Sequence, residues 1–183
     1  MNTVDAISKD EIGLVTTLLN KRYGPLYADI WKVGLNLSLR ISDLLSLRYD
    51  QLDLEGRALK LIEQKTGKAK AIRLNQTVID IIQRRRDHRP GDVWLFQVHS
   101  NRAKNKPVSR ISVSKAFKDV GDTLGLSINT HTMRKSRGKA LYDAGVSLEQ
   151  IAKVLNHSSP AVTMRYIGLT HAQTMATYDE FQL

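Results

Sequence analysis

The sequence predicts a mainly helical α+β domain with one small antiparallel sheet near residues 57–74. Two observations carry this reading. Apolar residues recur at three- and four-residue spacing through most of the chain, the period of an amphipathic helix. Between Arg57 and Leu74 the period shortens towards two, and Lys65-Thr66-Gly67-Lys68 interrupts it as a hairpin turn would.

The elements follow in order. Ser8 and Glu11 form a capping box, after which Ile12, Val15, Leu18 and Leu19 share one face until Gly24-Pro25 ends the helix. A second helix from about Pro25 carries Leu26, Ile30, Val33 and Leu37, and a short third one around Ser42 to Leu47 adds Leu44, Leu45 and Leu47. Arg57 to Glu63 and Lys70 to Leu74 are the strands. Helix returns from Gln76 to Arg86, with Val78, Ile79, Ile81 and Ile82 inward. His88 to Pro107 reads mostly as loop, interrupted by the apolar Val93-Trp94-Leu95-Phe96. Four helical stretches follow, near 110–124, 132–144, 147–155 and 171–180. No repeat, low-complexity tract or linker divides the chain, so residues 1–183 are expected to form a single domain.

Composition narrows the function. Hydrophobic residues make up 42% of the 183, enough for a real core. The absence of cysteine excludes disulfides and thiolate metal sites. The start, MNTVDAISKDE, lacks the basic and apolar regions of a signal peptide, and no apolar run approaches the roughly 18 residues of a membrane helix. A cytoplasmic protein without membrane contact is expected. The net charge of +10 favours a polyanionic partner, since each phosphate neutralised releases counterions.

Three local patterns could carry chemistry. Arg40 opens the short helix in Leu39-Arg40-Ile41-Ser42-Asp43-Leu44-Leu45. His131 and Arg134, three apart, share a helical face. His157 follows an apolar helix, and Tyr166 stands nine residues later (166 − 157). Each has an ordinary reading: an arginine paired with Asp43, a solvated helix face, a capping histidine, a packing tyrosine. The stretch Ala144 to Val162 also resembles a helix-turn-helix, so a DNA-binding transcriptional regulator without catalysis is the alternative. That alternative leaves the order Arg, Lys, His-x-x-Arg, His, Tyr unexplained.

That order, with the segment Ile128 to Tyr166 and the segment LSLRISDLLSLRYDQLD, resembles the catalytic domain of the tyrosine recombinase (phage integrase) family. The resemblance implies a site of Arg40, Lys65, His131, Arg134, His157 and Tyr166. Lys65 matches the family's hairpin lysine because it opens the turn, with Lys68 and Lys70 close by. Lys135 stands where many members have a second histidine, a change expected to lie one layer behind the reacting groups. Residues 1–183 are expected to hold no separate N-terminal core-binding domain of the kind many members have, which would make them either an isolated catalytic fragment or a member of a short subgroup with only this domain.

The set suits phosphoryl transfer, and the resemblance implies double-stranded DNA as the partner. Two arginine forks can hold the non-bridging oxygens of a phosphodiester. A tyrosine hydroxyl with a pKa near 10 needs its proton removed or its anion stabilised, which a histidine and two guanidiniums would do. His131 fits the acid/base role, Lys65 the protonation of the leaving 5′-oxygen, and His157 a hydrogen bond to the phosphate. Asp43 is expected to orient an arginine. The product would be a covalent 3′-phosphotyrosyl link to Tyr166, formed with no metal or other cofactor. A homo-tetramer on paired recombination sites, monomeric when free, is expected. The tail helix near 171–180 is too short to stand alone and would dock either on its own domain or, as the resemblance suggests, on a neighbouring protomer.

Overall fold

The structure is a computed structural model in which residues 6–100 and 103–169 are described. The tail helix expected near 171–180 lies outside the described residues. Helices α1 (Lys9–Tyr23), α2 (Pro25–Leu37) and α3 (Ile41–Leu45) lead into a short 3-10 turn at Tyr49–Gln51. Strands β1 (Leu52–Asp53), β2 (Ala58–Ile62) and β3 (Ala69–Arg73) follow, then α4 (Gln76–His88) and a second hairpin, β4 (Gln97–Ser100) and β5 (Ala103–Pro107). The last third is helical: α5 (Arg110–Leu124), α6 (Thr132–Asp143), α7 (Leu148–Leu155) and α8 (Pro160–Ile167).

The first sheet is antiparallel in the order β1-β2-β3, with Leu59 opposite Ile72 and Ile62 opposite Ala69. This is the sheet expected near 57–74, extended by the two residues of β1. The Ser8/Glu11 capping box is present, and Asn75, Ser109, Ser147 and Ser159 cap α4, α5, α7 and α8 through their side chains.

Two elements differ from expectation. The stretch read as loop before Pro107 contains the β4-β5 hairpin. Its strands, Gln-Val-His-Ser and Ala-Lys-Asn-Lys-Pro, carry almost no apolar alternation, so no period announces them. Helix α8 was not expected. It is only eight residues long, and Ser159 as cap with Pro160 at the first helical position is its main signal.

Helix α2 lies at the centre and packs against α1, α4 and α6. Its Trp31 meets Phe117 of α5 edge-on, ring centroids 5.2 Å apart, and both are fully buried. Gly34 of α2 faces Met133 of α6 so closely that a Cβ would collide with the methionine sulfur. A second, smaller core joins α7 and α8 through Ile151, Leu155 and Ile167, with Leu141, Val146 and Tyr166 packed around it. A Cβ on Gly138 of α6 would lie 2.8 Å from Ile167 and 3.1 Å from Leu155. The bare helix face at Gly138 therefore sets how closely α8 approaches.

Candidate active site

Arg40 is the N-cap of α3, with extended backbone. Its guanidinium pairs with Glu63 at 3.0 Å, and the Glu63 side chain is wholly inaccessible to solvent. Asp43, expected to orient an arginine, instead accepts the Gln64 backbone N–H at 2.9 Å. Because Arg40 precedes the first helical turn, three-residue spacing does not place it beside Asp43.

Glu63 also accepts from the Thr66 hydroxyl at 2.8 Å and from the Asn156 amide. Burial pushes its pKa up, but Thr66, Asn156, Arg40 and Lys70 outweigh burial and hold it below the usual carboxylate range.

Arg134 is buried, and its fork is used on two helix ends. Nη1 donates to the carbonyl of Ser38, the C-cap of α2, and Nη2 donates at 2.6 Å to Leu155, the last residue of α7. Both carbonyls lie at the negative end of a helix dipole, where a cation is favoured. His157 follows from the same cap. Asn156 takes a left-handed conformation, and the His157 N–H returns to Ala152 at 2.9 Å, a Schellman-type closure. The His157 ring then meets Tyr166 edge-on at 4.8 Å between centroids, and its Nδ1 lies 3.0 Å from the Thr163 hydroxyl.

The Tyr166 hydroxyl is buried beside Arg134, short of a well-aligned hydrogen bond to any described residue. Burial pushes its pKa up, and the neighbouring Arg134 and Arg40 charges offset that only partly. The two guanidiniums were expected to favour the anion. In the free protein burial wins, and the phenol holds its proton. Lys135 is buried with Nζ 5.6 Å from the centre of the Tyr166 ring, so it touches the tyrosine rather than standing a layer behind.

A pocket of about 220 Å³ opens among Arg40, Ser42, Lys65, Arg110, Thr130, His131 and Arg134. Of the hairpin lysines, Lys65 lines it, whereas Lys70 turns away to donate at 2.8 Å to the Val154 carbonyl. Partial desolvation, and then Arg134, Arg110, Lys135 and Lys65, push the His131 pKa below its usual value. His157 is pushed down to about 4, by burial first and then by Arg134 and Arg40. Both imidazoles are neutral at neutral pH.

The six residues expected from the sequence thus converge on one basic wall around Arg134. Two others were missed. Glu63 continues the inward face of β2 after Leu59 and Leu61, and a charge at an inward position of an alternating strand was a readable signal. Arg110 opens α5, where a cation opposes the helix dipole, which was a second signal. The helix-turn-helix resemblance falls on α7 and α8, whose apolar faces are closed against α6, with His157 in the connection between them and Tyr166 on α8.

The fold recurs in solved recombinases. The XerA recombinase superposes with a TM-score of 0.76 over the whole of this chain and 66% of its own, at 18% identity. The Tn1549 transposon integrase in complex with a circular intermediate DNA gives 0.76 over 99% of this chain and 67% of its own, at 19% identity. These likenesses establish the fold of a tyrosine recombinase catalytic domain. The phage integrase family model matches residues 16–173. A probable integrase/recombinase of Bacillus subtilis, YoeC, is 33% identical over 90% of this chain and 88% of its own length. The chain belongs to the phage integrase family. It spans about half the length of several other curated relatives. No helix among the described residues is long and apolar enough to cross a membrane.

Proposed function

We propose that this domain is a site-specific recombinase or integrase that cleaves and rejoins DNA strands through a 3′-phosphotyrosyl link to Tyr166. The observation that carries the reading is the Tyr166 hydroxyl, buried beside Arg134 with no hydrogen-bond partner among the described residues, with Arg40 and His131 lining the adjoining pocket and the His157 ring against the Tyr166 ring. A phenol in that setting is short of one partner, and a phosphodiester would supply it.

The roles follow from the chemistry of each group. Arg40 and Arg134 hold the non-bridging oxygens, and their charge grows in value as the phosphorus gathers negative charge. His131, kept neutral by partial burial and then by the cations around it, takes up the tyrosine proton. The phenolic oxygen forms a bond to phosphorus while the bond to the 5′-oxygen breaks. Lys65 on the hairpin gives that oxygen its proton. Neutral His157 donates a hydrogen bond to the phosphate from Nε2, provided Thr163 donates to its Nδ1. One phosphoester replaces another, so the step balances with neither ATP nor a metal. On paired sites four copies would assemble cyclically around two duplexes.

Replacing Tyr166 with Phe removes one oxygen. DNA binding is expected to survive, while protein–DNA adducts that resist denaturation disappear. A covalent adduct formed by Tyr166→Phe would overturn the reading, and so would a wild type that forms none on its own flanking sites.

A further inference from the structure

Glu63 is a buried carboxylate on the basic wall that the proposed chemistry does not use. It makes three contacts, each on a different segment. The Arg40 guanidinium of the α3 N-cap pairs with Oε1 at 3.0 Å. The Thr66 hydroxyl, in the turn next to Lys65, donates to Oε2 at 2.8 Å. The Asn156 amide, immediately before His157 and 93 residues along the chain, donates to the same oxygen. Its side chain has no solvent exposure, so water cannot substitute for these partners. A helix start, a hairpin turn and a helix end are thus tied to one carboxylate, and each carries a group proposed to touch the phosphate.

We propose that Glu63 is the positioning residue that sets Arg40, the Lys65 turn and the His157 loop in a single arrangement, so that the three reach the scissile phosphate together. The inference rests on the reading of the site given above. The turn is the arm most dependent on it. Lys65 itself is exposed, and the Thr66 hydroxyl beside it is the turn's bond to the Glu63 carboxylate, while the Gly67 N–H closes the turn on the Glu63 backbone carbonyl. A lysine displaced by even 1 Å from a leaving oxygen loses on the order of a hundredfold in rate.

The test uses single-turnover cleavage of two DNA substrates, one with an ordinary scissile phosphodiester and one with sulfur at the 5′-bridging position. The sulfur leaving group needs little proton help, so it separates a misplaced Lys65 from a general loss of structure. Glu63→Ala is expected to lower cleavage of the ordinary substrate by about a hundredfold. The sulfur substrate should recover much of that loss, as it should for Lys65→Ala. Thr66→Val removes only the turn's bond and is expected to give a smaller defect with the same sulfur rescue. If Glu63→Ala fails to fold, Thr66→Val carries the test alone. Wild-type cleavage by both variants, or an equal defect on the two substrates, overturns the proposal. Failure of the underlying site reading shows separately, as an adduct that persists in Tyr166→Phe.

Discussion

Arg134 directs its fork to two backbone carbonyls, while Arg40 is neutralised by Glu63. The two arginines are therefore unequal before DNA arrives. Arg134 keeps its charge in the interior, and after burial that charge is the next cause that pushes His157 down to about 4. The sign of the stability effect follows. Unfolded, His157 titrates near 6.5, so between that value and 4 the unfolded chain binds more protons than the folded one. Stability rises with pH across this window and is lost as the pH falls through it. On acidification from neutrality to about pH 4.5, the thermal midpoint of the wild type should fall further than that of His157→Gln, by up to a few degrees. The ring is half exposed, so screening keeps the difference small. Parallel curves would mean that His157 does not titrate low. Residues such as His157 and Tyr166 were legible in the sequence through family spacing. Glu63 was legible only as a charge at an inward strand position; its partners lie as far as 93 positions away, and only folding brings them together.

Close approach between helices decides where Tyr166 sits. Gly138 lets α8 settle against α6, and Gly13 of α1 meets nothing within 4 Å of where its Cβ would be. The same substitution should therefore act with opposite sign at the two positions. Gly13→Ala lies on an exposed helix face and should stabilise by about 0.5–1 kcal/mol through helix propensity. Gly138→Ala pushes on Ile167 and Leu155 and should cost about 1–3 kcal/mol. Since Tyr166 precedes Ile167 on α8, cleavage should fall in Gly138→Ala more than DNA binding does. Urea midpoints and single-turnover cleavage of both variants check this, and destabilisation in both would refute the packing argument. The helices that carry this arrangement were readable where a cap and an apolar face coincide, as at Ser8 with Glu11. The β4-β5 hairpin and α8 were not. The hairpin buries little of its own apolar surface, and eight residues give a helical period little room to repeat.

The net charge of +10 is a property of the whole chain, but its distribution decides how the protein meets DNA. Several arginines are already compensated: Arg84 and Arg85 bind buried Asp29, Arg22 binds Asp119, and Arg48 binds Asp50 while stacking on Trp94. Arg110 and Lys65 are exposed, and both line the pocket with His131 and Arg134. The pocket wall should thus account for a disproportionate share of the phosphate contacts. Each such contact contributes about one unit to the slope of log affinity against log salt concentration. Arg110→Ala is expected to flatten that slope by about one unit. Arg48→Ala removes a charge that Asp50 already offsets, and should leave the slope nearly unchanged although the formal charge falls equally. Binding of one recombination half-site, measured between about 50 and 200 mM salt, separates the two cases. Equal flattening in both variants would show that the duplex responds to total charge alone, and that the basic wall around Arg134 is not where its backbone lies.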